Sequence, residues 1–191
     1  MIARARRAGF SLVELILVVA LMMLAASAIA VNLDTIVPQA RIESGARMLA
    51  SDIAAARASA IAQGLSYWIE YDLRENSYRI ATPFRKSGGI MPYQKSRLDD
   101  VMDEEERVTT NWKPMPAEVR IASIRAGTNV YTSGVHRIEM RPNGNTIEHV
   151  IQLVRTNPPS NFYLLVQGLT GFVQFFNGDW QPEVVDEKSF G

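Results

Sequence analysis

The stretch "FSLVELILVVALMMLAASAIAV", residues 10–31, is a continuous apolar run that decides how the rest of the chain is interpreted. Its only polar side chains are Ser11, Glu14 and Ser27. As an α-helix rising about 1.5 Å per residue, the run would be roughly 33 Å long, and a bilayer hydrocarbon core is about 30 Å thick. The run therefore predicts a helix that spans a membrane.

Basic residues precede this run and predict its orientation. Arg4, Arg6 and Arg7 all lie before Phe10, and positive charge beside a span is retained in the cytoplasm, so the following residues should lie outside. A cleaved secretory signal is an alternative. Its apolar core is usually about 7–15 residues long and ends at a small-residue site, and "ASAIA" at 26–30 has that character.

The charge balance argues against nucleic acid as a partner. The chain carries 20 basic and 20 acidic residues, and removing residues 1–9 leaves 17 basic residues against 20 acidic ones. DNA-binding modules usually display a basic stripe. Such a stripe could still form if four arginines of the C-terminal half cluster on one sheet face: Arg120, Arg125, Arg137 and Arg141. The absence of cysteine excludes disulfides, thiolate catalysis and cysteine metal sites.

Helical periodicity is present again over residues 32–64, which predicts an amphipathic continuation of the helix. Six apolar residues are spaced 4-3-4-3-4 and form what we call the apolar stripe: Ile42, Ala46, Leu49, Ile53, Ala56 and Ala60. Many of the residues around them are alanine, so the helix should be thin and allow another element to approach closely. Gly64 is expected to end the helix.

From residue 65 onward the apolar period becomes two, which predicts strands. Seven segments have this pattern: "LSYWIEYDL", "SYRIATP", "EVRIASI", "GVHRIEMR", "TIEHVIQLVR", "FYLLVQG" and "GFVQFF". A hairpin is expected across "REN", and a second one across Asn143-Gly144, because this dipeptide favours a tight two-residue turn. The stripe and one sheet face each need an apolar cover, so we expect them to cover each other.

Residues 83–117 show no regular period. They contain Gly88-Gly89, four prolines and the acidic run "DDVMDEEER" at 99–107. Long segments of this kind in compact domains are often functional. We expect a loop insertion at about 83–117.

No motif in the sequence indicates a metal or cofactor site. His136 and His149 are the only histidines, and as cross-strand neighbours they would supply only two ligands, which do not make a zinc site. The acidic run lacks the spacing of a calcium loop. There is no G-x-S-x-G elbow and no phosphate-binding loop. We therefore expect no cofactor, no metal and no catalytic residue.

The segment "RRAGFSLVEL", residues 6–15, resembles the processing site of type IV pilins and of the pseudopilins of type II secretion. The resemblance implies that residues 1–9 are a basic leader, which a prepilin peptidase removes by cutting after Gly9. It implies further that the same enzyme methylates the new amino terminus on Phe10. Glu14 then matches the glutamate through which members of this family assemble into filaments.

The C-terminal pattern "HRIEMRPNGNTIEHVIQLV…FYLLVQGLTGFVQFF" is similar to that of minor pseudopilins of the H type and of related FimT-type minor pilins. Gly144, Thr170, Gly171 and Val173 carry this likeness. The resemblance implies an α+β, pilin-like fold. A long N-terminal helix, its first half transmembrane, would pack on an antiparallel β domain of six or seven strands at 65–191.

Glu14 has a specific chemical difficulty in this setting. An ionised carboxylate inside a bilayer costs about 2.5–3.5 kcal/mol at mid-helix and less near a helix end. One interpretation is that Glu14 extends toward the head groups. The other is that it pairs with the amino terminus of a neighbouring subunit, because pairing compensates for the removal of both charges from water and fixes the register.

The resemblance implies a structural, non-enzymatic minor pseudopilin of a type II secretion filament. The expected partners are the prepilin peptidase, other pseudopilins through the N-terminal helix, and inner-membrane lipid before assembly. The loop insertion at 83–117 would contact another subunit or a secreted cargo protein. Residues 10–31 would cross the inner membrane once, with the N-terminus cytoplasmic and the C-terminal domain periplasmic. Two alternatives stay open: a minor type IV pilin of a surface pilus or DNA-uptake apparatus, and a membrane-anchored or secreted periplasmic enzyme.

Overall fold

The computed structural model describes residues 11–91, 106–178 and 180, without the side chains of residues 26–39. One α-helix, α1, runs over Leu12–Gln63. The chain divides into two compact units, residues 1–39 and residues 40–191. The first unit contains the N-terminal part of α1. The second contains the rest of α1 and all of the described strands.

The described part of the first unit opens with a capped helix end. The Glu14 N–H donates to the Ser11 side-chain Oγ at 3.2 Å and to the Ser11 backbone oxygen at 3.1 Å. A serine before the first helical residue accepts such a bond in place of the missing intrahelical partner. The helix therefore starts at Leu12 because Ser11 satisfies the N–H group of its third residue.

In the second unit, residues 40–63 of α1 bury the apolar stripe that the sequence predicts. All six stripe residues are at most 1% exposed. The helix then ends at Gly64, whose φ is +66°, and the Leu65 N–H donates to the Ala60 oxygen at 3.2 Å. This bond and the left-handed glycine form the usual C-terminal cap of a helix.

The described strands form two antiparallel sheets in the second unit. The first sheet contains β1 (Tyr67–Asp72), β2 (Ser77–Arg85), β3 (Arg107–Thr109), β4 (Lys113–Pro114) and β7 (Val135–Met140), with β4 paired to β2 beside the order β3-β2-β1-β7. The second contains β5 (Val119–Ala126), β6 (Asn129–Tyr131), β8 (His149–Arg155), β9 (Ser160–Val166) and β10 (Val173–Asn177), in the order β10-β9-β8-β5-β6. The α+β class that the sequence predicts is confirmed.

All seven predicted segments contain strands, and the described residues form three further strands that were not predicted. The unpredicted strands, β3, β4 and β6, are each two or three residues long, too short to show a period of two. β3 and β4 both lie within residues 83–117, where the sequence predicts only a loop, and both pair with β2. That region therefore contributes two strands to the first sheet.

The predicted hairpin across Asn143-Gly144 is wrong. β7 pairs with β1 in the first sheet, whereas β8 pairs with β5 and β9 in the second. Between the two flanking segments, the described pairing is a single bridge from Met140 to Thr146. The dipeptide makes a tight turn, but the partners of each strand are set by its apolar face, and here the chain passes from one sheet to the other.

One core joins the helix to both sheets. It contains the apolar stripe, Ile69 and Ile138 from the first sheet, and Ile151 and Leu164 from the second. Half of the stripe is alanine, so this face of the helix buries apolar area with only three large side chains. The second unit is thus a helix packed on two sheets.

Asn76, in the turn between β1 and β2, ties the two sheets together. Its Nδ2 donates to the Val119 oxygen at 2.7 Å, and its Oδ1 accepts from the Ile121 N–H at 2.9 Å. Its φ is +52°, a conformation that asparagine tolerates better than most residues. The turn therefore supplies hydrogen bonds to β5 that the hairpin alone would not need.

Candidate functional site

The N-terminal part of α1 exposes an unusual amount of apolar side chain. Eleven large apolar residues of this part are 42–75% exposed: Leu12, Val13, Leu15, Ile16, Leu17, Val18, Val19, Leu21, Met22, Met23 and Leu24. A helix that is apolar all round is stable only in lipid or within a bundle of other helices. This segment therefore presents an apolar surface that no described part of the chain covers.

Glu14 lies in this exposed apolar segment, at the third helical position. Its backbone N–H is used by Ser11, and no salt bridge to its carboxylate is formed by the described residues. A carboxylate in the first turn is favoured by the positive end of the helix dipole. The geometry leaves the carboxylate available to a cation from outside the described chain.

The other two predicted site residues, Gly9 and Phe10, lie outside the described residues. The structure instead adds Ser11, which the sequence analysis missed although the spacing Ser-x-x-Glu is a recognised signal for a helix start. Within the described part of the chain, no helix has both the length and the mean hydropathy of a membrane span.

The two histidines are not cross-strand neighbours, because they lie in β7 and β8 of different sheets. His136 Nε2 is 2.7 Å from the Ser133 oxygen. His149 is buried, and its Nδ1 lies 2.8 Å from the Ile147 oxygen. Because a carbonyl can only accept, Nδ1 carries the proton and Nε2 can accept from the Tyr71 hydroxyl, 3.4 Å away.

Burial lowers the pKa of His149 to about 4, an effect that the hydrogen bond to Ile147 partly opposes. The imidazole is therefore neutral at pH 7 and acts as a hydrogen-bonded core residue. Burial also raises the pKa of Tyr71. In the described residues, no group of three or more histidine, aspartate or glutamate side chains is placed to hold a metal ion.

The four arginines that a nucleic-acid surface would need do not share a sheet face. Arg120 and Arg125 lie on β5 in the second sheet, whereas Arg137 lies on β7 in the first. Arg137 also donates from Nε to the buried carboxylate of Glu70 at 2.7 Å, so its charge is already compensated. The structure thus offers no common basic stripe from these residues.

A groove lies between residues 47–57 of α1 and residues 171–175, which lead into and include part of β10. We call it the edge groove, because β10 is an edge strand of the second sheet. Its volume is about 410 Å³. Phe172 and Phe175 are 65% and 41% exposed there. Apolar residues exposed together in a concave site indicate a contact surface.

Two glycines of the C-terminal pattern, Gly144 and Gly171, leave room for Arg57 beside this groove. Arg57 Nε donates to the Gly144 oxygen at 3.0 Å. A Cβ at Gly171 would lie 2.5 Å from the Arg57 Cδ, and the φ of +63° at Gly171 also favours glycine. Both glycines are therefore explained by a close approach of turns to α1.

Comparison with known families assigns the N-terminal segment. Residues 4–30 match the model of the prokaryotic N-terminal methylation motif. The minor pseudopilin EpsH of the type 2 secretion system of Vibrio cholerae is similar at 8% sequence identity and a TM-score of 0.48, over 73% of this chain and 99% of EpsH. No curated protein sequence matches this chain significantly. The chain therefore begins with an N-terminal methylation motif of the kind that opens type IV pilin and pseudopilin precursors.

Proposed function

We propose that this chain is a structural minor pseudopilin of a type II protein secretion filament, with no catalytic role of its own. The observation that carries the proposal is the methylation motif at residues 4–30 followed by a helix that exposes apolar side chains. A motif of this kind is found on subunits that are processed at the membrane and then assembled. The exposed helix supplies the surface that assembly would bury.

The first step of this function is processing at Gly9. A prepilin peptidase would cut after Gly9 and methylate the amine of Phe10, which removes the three leader arginines with residues 1–9. Glycine suits the cut because it presents no side chain where the substrate backbone lies extended in an active site. The product would begin with an apolar residue next to the Ser11 cap.

The second step is a change of surroundings for the helix. The run of residues 10–31 would first lie in the inner membrane, with the N-terminus cytoplasmic and the β domain periplasmic. In the filament, other helices would replace the lipid. Lipid tails are as apolar as leucine, so the exchange depends on van der Waals packing and on polar pairs rather than on a hydrophobic gain.

The third step uses Glu14 to set the register. Its carboxylate would pair with the terminal amine of a neighbouring subunit, since neither charge is well solvated in the filament core. The Ser11 cap fixes the first turn of the helix, and the Glu14 side chain leaves that turn near its N-terminal end. One such pair per interface would define the axial offset between subunits.

N-terminal mass analysis of the mature protein from its host tests the processing step. The proposal predicts a first residue of N-methylated Phe10. A mature protein that starts near Val31 would instead identify a secretory signal cut after Ala30 and would overturn the proposal. Repeating the analysis in a strain without the prepilin peptidase should give the uncut chain.

The assembly role of Glu14 is tested with matched variants in a filament-incorporation assay. Glu14→Gln removes the charge and keeps the shape, Glu14→Asp keeps the charge, and Ser11→Ala removes only the helix cap. We expect Gln to lower incorporation at least tenfold while processing at Gly9 continues, and the other two variants to incorporate substantially. Equal incorporation of Gln and wild type would disprove the pairing.

A minor type IV pilin of a surface pilus is the second candidate, because the same motif opens those precursors. Deletion of the gene should abolish export of folded enzymes if the filament serves secretion, and should abolish pili if it serves a pilus. DNA binding is not part of either proposal, since Arg120 and Arg125 lie in a different sheet from Arg137.

A further inference from the structure

We propose that the edge groove binds an extended, acidic segment of a neighbouring filament subunit, which adds as a strand to the free edge of β10. The inference rests on the proposed function for the identity of the neighbour. It goes beyond that function in naming a second contact surface, on the β domain and separate from the N-terminal helix. Three observations support it: an open strand edge, an apolar floor and two guanidinium groups.

The first observation is the open edge. In the second sheet β10 pairs with β9 on one side, and no described strand pairs with it on the other. The Gln167 N–H donates to the Phe172 oxygen and the Gly178 N–H to the Asn161 oxygen. Antiparallel bonds alternate along a strand, so the even-numbered residues of β10 bond to β9.

The backbone groups of Val173, Phe175 and Asn177 must then face the free edge. Unpaired N–H and C=O groups in a row are a template for another strand. The opposite edge of the same sheet is formed by β6, which is only three residues long. Of the two edge strands of this sheet, β10 is thus the longer one with which a partner strand could pair.

The second observation is the apolar floor beneath that edge. The side chains of Phe172 and Phe175 are largely exposed, and the alanines of α1 between residues 47 and 57 leave the space beside them open. An incoming strand presents every second side chain to the same face. One or two apolar side chains of such a strand would fill the groove.

The third observation is charge. The Arg47 guanidinium lies 5.9 Å from the centre of the Phe175 ring, and the Arg57 guanidinium lies 5.8 Å from that of Phe172. No described carboxylate forms a salt bridge with either arginine. A strand with carboxylates on the groove side would supply the missing anions, which selects an acidic partner over a basic one.

A photo-crosslinking experiment on the full chain in its host tests this proposal. Phe172 is replaced by p-benzoylphenylalanine as the probe, and Val130 on β6, which is 51% exposed, serves as the matched control position. We expect adducts at position 172 to exceed those at position 130 several-fold. Mass spectrometry should map them to an acidic, strand-forming segment of another filament subunit.

Variants at Phe175 then separate strand addition from simple apolar contact. With the probe at position 172, Phe175→Pro removes an outward N–H without breaking a bond to β9, whereas Phe175→Ala keeps that N–H. Proline should reduce the adduct several-fold below alanine. Arg47→Glu should reduce it roughly three- to fivefold, as expected for an exposed ion pair.

Three results would overturn the inference: equal adducts at positions 172 and 130, adducts to lipid or to a helical segment, and equal yields for the proline and alanine variants. Each is distinguishable from failure of the proposed function, which would appear as a mature protein that does not begin at methylated Phe10. A correctly processed protein without the position-172 adduct would refute only the edge groove.

Discussion

The two ends of helix α1 are both rich in apolar residues, but one end exposes them and the other buries them. Residues 12–25 expose their large apolar side chains, whereas residues 40–63 bury the apolar stripe completely and expose only Met48 and Ile61 among their large apolar residues. None of residues 12–25 belongs to the described hydrophobic core, whereas all six stripe residues do. The number of apolar residues alone therefore does not predict whether a helix packs in its own domain. Their distribution around the helix does.

The stripe also shows how little bulk a buried helix needs. Ala46, Ala56 and Ala60 make up half of it, and Gly45 lies so close to Pro116 that an added Cβ would be 3.0 Å from the Pro116 Cδ. Small residues let backbones approach, and the close approach replaces side-chain volume with contact area. In the exposed part, by contrast, large apolar residues predominate.

The largest expected effect comes from truncating the two parts in the same way. Ile53→Ala should lower the unfolding free energy of the β domain by about 2–4 kcal/mol, because it leaves a cavity in a packed core. Leu17→Ala, at a position 59% exposed, should change it by less than about 0.5 kcal/mol. Denaturant unfolding of the full chain in detergent, followed by tryptophan fluorescence, measures both. Equal losses would contradict the contrast between the two parts.

The sequence predicted the stripe and the seven longer strands because each has a period that burial imposes on every turn or every second residue. It could not predict β3, β4 and β6, since two or three residues carry no period. It failed at Asn143-Gly144 because a turn motif specifies a local bend, whereas the strand partners depend on residues far away in the chain.

The candidate site divides in the same way. Gly9, Phe10 and Glu14 follow from a local motif, so the sequence could propose them, although their roles stay predictions. The edge groove depends on a contact between residues 47–57 and residues 171–175, which are far apart in sequence. No local sequence pattern predicts such a contact. The same holds for the contact of Arg57 with Gly144. Ser11 is different, because its signal was present in the sequence.

The second prediction concerns how the free energy of unfolding depends on pH through the buried residue His149. Because burial holds the pKa of His149 at about 4 in the fold, against about 6.5 in the unfolded chain, the unfolded state binds more protons between these values. The contribution of neutral His149 to the free energy of unfolding is therefore complete above about pH 6.5 and is lost as the pH falls toward 4. From pH 7 to pH 5 the loss should be about 2 kcal/mol.

Urea unfolding at a series of pH values measures this loss. His149→Gln should remove most of the pH dependence, because an amide stays neutral over this pH range. The amide can still donate to the Ile147 oxygen and accept from Tyr71. His136→Gln is the matched control at the partly exposed histidine and should keep the slope. An unchanged slope in His149→Gln would show that other groups cause the pH dependence.

The third prediction concerns the polar edge of the stripe, where α1 is tied to the first sheet. Asp52 accepts from the Tyr78 hydroxyl at 2.7 Å and from Lys113 Nζ at 2.9 Å. Burial and the hydrogen bond to Asp52 raise the pKa of Tyr78. Asp52→Ala should cost about 1–2 kcal/mol, because it leaves the hydroxyl of Tyr78 without its acceptor.

Asp52→Asn is the matched variant for this tie, since its amide oxygen can still accept from Tyr78 while the charge is gone. It should cost about half as much, because the pair with Lys113 is partly exposed and contributes little. Thermal unfolding of the two variants in parallel measures the difference. An equal cost for asparagine and alanine would assign the stability to the ion pair instead.

The smallest expected effect is at the end of the buried part, at Gly64. Its φ of +66° is unfavourable for a residue with a Cβ, but an added Cβ would meet no atom within 4 Å. Gly64→Ala should therefore cost only about 1 kcal/mol, from backbone strain alone. Gly64→Asn should cost less, because asparagine adopts this conformation more readily. If alanine is as stable as glycine in thermal unfolding, the helix end relaxes to another conformation, and the cap does not hold the stripe in place.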